Sequence, residues 1–187
     1  RPLMIKLRRS FALEDAEAGA FWEIAGGAFE AGADALCVHA RAVAQQYAGK
    51  AEWGFLESVK KAFPGRTIIG SGDVSSAAEA LRMISETGVD GAVAARGAIG
   101  NPWIFRQARQ LAAGRPAPPP TVAEQREVLL RHYGLCLQAY GERKGVMTMR
   151  HLGIGYARVH PHPKRVRMAF VAVKTAEDWH GVLAAHY

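Results

Sequence analysis

Four times before residue 112 a short apolar run gives way to a helical pattern, and this repeat limits the possible folds more than any other feature. The runs are Leu3–Leu7, Ala35–His39, Arg66–Gly70 and Gly91–Ala95. Their starts recur roughly every 24–32 residues, the signature of βα units in a parallel sheet. Near-continuous apolar strands suit a sheet covered on both faces. Four such units are half of what a closed (β/α)8 barrel of about 250 residues needs. The expected fold is therefore α/β: part of a (β/α)8 TIM barrel, about four βα units, followed by a small all-α domain.

The connecting helices are read from apolar spacing and end signals. Leu13 to Ala31 is expected to be one helix, with Glu14, Asp15 and Glu17 in its first turns and Phe21, Ile24, Ala25 and Ala28 on its buried face. The next helix buries Leu56, Val59 and Phe63 and stops at Pro64-Gly65. Ser76 and Glu79 form a capping box for Ala77–Glu86, whose stripe is Ala77, Leu81 and Ile84, with Gly88 as the stop.

Ala113–Thr121 (AGRPAPPPT) breaks both periodicities and reads as a stiff linker. Beyond it the pattern is helical: Val122–Tyr140, Gly145–Arg158, Pro163–Val173 and Ala176–His186. The expected division is 1–112, 113–121 and 122–187. Charge follows the same division. Residues 1–120 hold 14 Lys and Arg against 12 Asp and Glu, whereas 121–187 hold 10 against 5, with no acid between Arg143 and Ala176. A basic excess confined to one end is the footprint expected for a polyanion partner.

No apolar run approaches the ~20 residues that span a bilayer, and no leader pattern opens the chain. A cytoplasmic protein without membrane contact is expected. Cys37 and Cys136 are too few and too far apart for a disulfide framework or a zinc site, so no metal is expected and both read as core thiols.

In parallel α/β folds ligands gather at the C-terminal ends of strands. Here those ends carry Lys6 and Arg8, then His39 and Arg41, then Ser71, Gly72 and Asp73, then Arg96 and Gly97. Two Gly-rich turns with an arginine suit one terminal phosphate better than a dinucleotide, which favours a single GxGxxG turn. Lys6 inside a strand needs either a salt-bridge partner or a ligand. Asp73 either caps the helix after Gly72 or belongs to the anion turn.

The segments VHARAVAQQYAGKAEW, IIGSGDV and ETGVDGAVAARGAIGNPWIF, with MRHLGIGY in the tail, resemble the tRNA-dihydrouridine synthase family. The resemblance runs from about Leu3 to the end. It implies an FMN-dependent reduction of the uracil 5,6 double bond in tRNA, with NADPH or NADH as reductant and a cysteine as proton donor. Lys6 and His39 resemble the residues that contact the flavin. Ser71, Gly72 and Asp73, with Ala95, Arg96 and Gly97, resemble the turns that hold the FMN phosphate. Arg41 resembles the arginine near the target uridine. Arg150 and His151 resemble tRNA-facing positions, and Arg143, Lys144, Lys164 and Arg165 share that basic stretch.

This chain departs from the family pattern at Ser71 (usually Asn), Ala95 (usually Gly), Ala40 (usually Gly) and Val43 (usually Arg). The family's acid cysteine comes from an earlier loop, in the half of the barrel that would precede Arg1, so no catalytic residue is expected here. Cys37 lies inside a strand and does not replace it. The expected partners are tRNA and, across the open barrel edge, the missing half or a second copy. The 187 residues are expected to be inactive alone. Two other readings stay open: a non-enzymatic RNA-binding protein on a degenerate half-barrel, and an FMN barrel acting on a small molecule.

Overall fold

A computed structural model describes residues 1–187 apart from Leu13 and Ala18 and the side chains of Ala16 and Glu17. The chain divides into two compact units, one of residues 1–97 and 111–114, the other of residues 98–110 and 115–187. This division does not coincide with the boundary that the proline content suggests.

In the first unit, β1 (Met4–Arg8), β2 (Ala35–His39), β3 (Thr67–Ser71) and β4 (Gly91–Val93) form one sheet in sequence order. Every pairing is parallel. The helices between them are α1 (Ala20–Glu30), α2 (Trp53–Ala62) and α3 (Ala77–Thr87). The result is an α/β arrangement consistent with part of a TIM barrel.

Register assigns the two faces of the sheet. Lys6 stands beside Cys37, and Cys37 beside Ile69; Arg8 stands beside His39, and His39 beside Ser71. Alternation then sends Leu36, Val38 and Ile68 to the opposite face. There they are fully buried with Phe21, Ala25, Phe29, Leu56, Val59 and Met83. Each of the larger side chains among them contributes about 1.5–3 kcal/mol by leaving water. The other face is mixed: Met4, Lys6 and Arg8 on β1 are exposed, and Cys37 and Ser71 are buried between neighbouring strands.

Several expectations are corrected here. The helix expected over 13–31 is a 3-10 turn at Glu14–Glu17 followed by α1, and the two are separated at Gly19, whose φ is 80°. Leu13 lies outside the described residues. α1 buries Phe21, Ala25 and Phe29, while Ile24 is exposed, because the stripe follows i, i+4, i+8. In α3 the buried residues are Ala77, Met83 and Thr87, and Leu81 is only half-buried. Lys6 needs no buried partner, since it lies on the exposed side of β1.

The second unit holds α5 (Val122–Tyr140), α6 (Glu142–Tyr156), α7 (Pro163–Ala172), α8 (Ala176–His186) and α4 (Ile104–Ala112) as far as Gln110. Thr121 with Glu124, and Thr175 with Asp178, form reciprocal capping boxes that start α5 and α8. α6 begins at Glu142, three residues ahead of the expected start. Its core joins Trp103, Leu129, Tyr133, Met149, Tyr156, Phe170 and Trp179, with Tyr133 stacked on Trp179 at 4.1 Å between ring centroids. A Cβ at Gly153 would lie 2.4 Å from the Phe170 ring, so MRHLGIGY brings α6 flush against α7. Among the described residues no helix is long and apolar enough to cross a membrane.

Candidate functional site

All four strands of the first unit end on one rim, and the residues found there are those expected from the strand ends. Parallel pairing sets Arg8, His39 and Ser71 in a row. Lys6 stands two residues back on the exposed side of β1. The His39 ring is half-buried, and its Nδ1 is a buried atom without a hydrogen-bond partner. Burial lowers its pKa, and the cations Arg8, Lys6 and Arg41 push the same way; together they outweigh a backbone interaction with Ser71 that raises it, so the neutral ring is favoured.

The first turn reverses sharply. Gly72 has φ 128° and Asp73 has φ 54°, both in left-handed territory. Asp73 does not cap α3; Ser76 does, accepting from the Glu79 amide, while the Glu79 carboxylate accepts from the Ser75 amide. The Asp73 carboxylate turns back to the loop after β2 instead. It accepts from the Ala51 amide at 2.6 Å and from Arg41 Nη2 at 2.7 and 2.8 Å. Burial alone would raise the Asp73 pKa, but the Ala51 amide and the Arg41 guanidinium, with Arg96 beyond, outweigh it and hold the group below its usual range. Arg41 is 3% exposed and also donates to the Gly49 carbonyl at 2.9 Å. Trp53 Nε1 donates to the Gly72 carbonyl at 3.0 Å, which closes the same loop over the turn.

The second turn is a 3-10 turn at Arg96–Ala98. The Arg96 side chain is 59% exposed, 3.9 Å from Asp73, and stands over the Tyr47 ring at 4.6 Å from its centroid. Ala95 is exposed. Glycine is required at 72 and 97 by protein contacts: a Cβ at Gly72 would lie 2.6 Å from the Ala51 methyl, and one at Gly97 would lie 2.4 Å from the Val74 carbonyl. The two turns are thus pressed together. Among the described residues the amides of Gly72, Asp73 and Val74 donate no hydrogen bond.

These features fit a group with a terminal phosphate and hydrogen-bonding ring atoms. Arg96 offers a largely solvent-facing guanidinium beside unbonded amides, His39 offers an unpartnered ring nitrogen, and Lys6 offers an ammonium on the same face. Both thiols are buried, and burial raises the pKa of each, with Lys6 opposing the effect at Cys37, so neither is a reactive thiolate. No group of acids, histidines or cysteines suited to a metal ion occurs among the described residues.

The second unit carries the other candidates. Arg143, Lys144, Arg150 and His151 lie on α6, and Lys164 and Arg165 lie in the first turn of α7. All but Arg150 are exposed, and none forms an ion pair among the described residues. Lys144 stands over the Tyr140 ring at 5.0 Å. Cations at the start of α7 face the positive end of the helix dipole, an arrangement that an external anion relieves. A cavity of about 470 Å³ opens between Arg143 and Lys174.

Sequence reasoning left the loop after β2 without a role. Tyr47, Gly49, Ala51 and Trp53 all serve the turn at Gly72–Asp73 or Arg96. The available signal was an aromatic pair, Tyr47 and Trp53, in an otherwise polar and small-residue loop.

Comparison with known proteins agrees with the motif resemblance. A family model described as dihydrouridine synthase (Dus) matches residues 1–185. A probable tRNA-dihydrouridine synthase of Mycobacterium leprae is 38% identical over 148 residues, 79% of this chain and 38% of that protein. A tRNA-dihydrouridine synthase B of Xanthomonas campestris pv. campestris is 34% identical over 178 residues, 94% of this chain and 52% of that protein. A probable tRNA-dihydrouridine synthase of Rickettsia typhi is 31% identical over 169 residues, 90% of this chain and 50% of that protein. The chain thus spans about half the length, or less, of these relatives.

Proposed function

The chain belongs to the dihydrouridine synthase family, and from that premise we propose that it forms the flavin-phosphate and tRNA-docking part of a tRNA-dihydrouridine synthase. The observation that carries this reading is the rim of the first unit. Arg8 and His39, with Lys6 two residues back, stand along the ends of β1 and β2, and Arg96 follows β4 beside a turn whose amides at 72–74 donate no hydrogen bond among the described residues.

In this reading Arg96 and the Gly72–Val74 amides hold the phosphate of FMN, and Lys6 and His39 face its ring system. Ser71, Gly72, Ala95 and Gly97 shape the two turns. FMN held there, with NADPH or NADH as its reductant, would supply hydride chemistry toward the uracil 5,6 bond, the matching proton coming from an acid outside this chain. The protein's own work is to bind, orient and exclude water. Neutral His39 at the rim donates or accepts a single hydrogen bond without adding charge.

The second unit is proposed as a separate helical domain that docks tRNA. Arg143, Lys144, Arg150, His151, Lys164 and Arg165 would meet phosphates there, and the cations at the start of α7 favour such a partner. The target base has to leave its stack to reach a flavin, which docking on a basic surface assists. Both described thiols are buried, so this chain brings no proton donor of the expected kind, and we propose that it does not form dihydrouridine by itself. The same observation favours, as a second reading, an RNA-binding protein without enzymatic activity.

The deciding experiment follows FMN fluorescence and tRNA binding on one preparation. We expect saturable flavin quenching, and tRNA affinity that falls steeply with salt and weakens by roughly tenfold when Lys164 and Arg165 are both replaced by Ala. No flavin binding together with intact tRNA binding would favour the non-enzymatic reading. Dihydrouridine made by this chain with FMN and NADPH would refute its proposed inactivity.

A further inference from the structure

Arg41, Asp73 and Arg96 form a row of two cations around one carboxylate; Arg41 is buried, Asp73 is one third exposed, and Arg96 is the cation that reaches solvent. Arg41 is 3% exposed, and its Nη2 is committed to both Asp73 oxygens and to the Gly49 carbonyl. Its Nε is buried without a partner. A guanidinium so enclosed is spoken for by its own protein. Arg96, by contrast, is 59% exposed and 3.9 Å from the same carboxylate.

We propose that Arg41 is a positioning residue that cancels the charge of Asp73, so that Arg96 is left free to bind a phosphate. The proposal rests on the phosphate reading above and adds a role for Arg41 distinct from contact with the uridine. Without Arg41, Asp73 would present an uncompensated carboxylate at the phosphate turn. It would draw Arg96 to itself and repel an incoming dianion. With Arg41 in place the row keeps a net charge of one positive unit, carried outward by Arg96.

The same latch fixes the aromatic support of Arg96. Arg41 and the Ala51 amide both donate to Asp73, and Trp53 donates to the Gly72 carbonyl, so the loop is tied to the turn at three points, while Arg41 also holds Gly49 within the loop. Tyr47, under Arg96, belongs to that tied loop. The left-handed backbone at Asp73 directs its carboxylate back toward the loop rather than toward α3. Why an aspartate occupies a phosphate turn is thereby explained: it is an internal anchor, neutralised from within.

The test compares FMN with riboflavin, which has the same ring system without the phosphate. The affinity ratio of FMN to riboflavin is measured by fluorescence titration for wild type, R41M, D73N and R41M/D73N. The net charge of the row is then one positive unit in wild type, zero in R41M, two in D73N and one in the double variant. The ratio is expected to follow that order, changing roughly tenfold per unit charge a few ångströms from the phosphate. D73N should stand highest, the double variant close to wild type, and R41M lowest, each ratio taken against riboflavin in the same variant so that any change in ring binding cancels.

An unchanged ratio in R41M, or a double variant as poor as R41M, overturns the proposal. If R41M does not fold, the order of D73N over wild type and the double variant still decides it, and D73N at or below wild type overturns it. A wild-type ratio of one would instead refute the phosphate reading beneath it, so the two failures are distinguishable.

Discussion

The two faces of one four-stranded sheet obey different rules. On the helix-covered face Leu36, Val38 and Ile68 are each 0% exposed and packed by three helices. On the other face, one residue away along the same strands, stand Lys6, Arg8 and His39. Alternation thus separates stability from chemistry at a spacing of one residue. A strand that reads as uniformly apolar hides this, because each of its residues serves only one face.

The sharpest way to break the comparison is to remove the same side chain from each face. Ile68→Ala should cost about 3 kcal/mol, the penalty for truncating a filled core position, whereas its neighbour Ile69→Ala, half-buried on the other face, should cost about 1 kcal/mol or less. Urea denaturation of both variants measures this, and equal losses would mean that the two faces are packed alike.

A smaller effect belongs to His39. Its pKa is depressed in the folded protein, so the unfolded chain takes up the proton first. Stability should therefore be full above pH 6.5, the ordinary histidine value, and should decline as pH falls toward the lower folded-state pKa. Denaturation midpoints across pH 5–8 for wild type and His39→Gln isolate this share, and the variant should lose part of the slope. An identical slope would place the titration elsewhere.

The smallest expected change in stability is that of Lys6→Met, within about 0.5 kcal/mol of wild type, because the ammonium lies exposed on the chemical face. Flavin affinity should fall in the same variant. A protein that is markedly stabilised or destabilised, with flavin binding intact, would make Lys6 a structural residue.

The strands, their parallel order and the rim were legible because apolar runs and Gly-rich turns are local signals. The break at Gly19 was not, because Glu14, Asp15 and Glu17 imitate the acidic first turn of a helix whose true start is Ala20. The choice of Phe29 over Ile24 in α1 depends on which side the sheet lies, information absent from a single amphipathic segment. Arg41 and Asp73 were visible as candidates, but their pairing was not. They are 32 positions apart, and the contact depends on a left-handed residue that sequence alone would not place there.

Trp103 packs edge-on against Tyr156 inside the second unit, although it precedes the proline-rich run. Anyone dissecting the chain at those prolines, or any gene rearrangement that spliced there, would leave the tail without its aromatic plug. A piece starting at Val122 would carry an open greasy socket at Tyr156 and would clump. A piece starting at Ala98 would bring its own stopper, because the compact helical unit begins inside the GAIGNPWIF stretch.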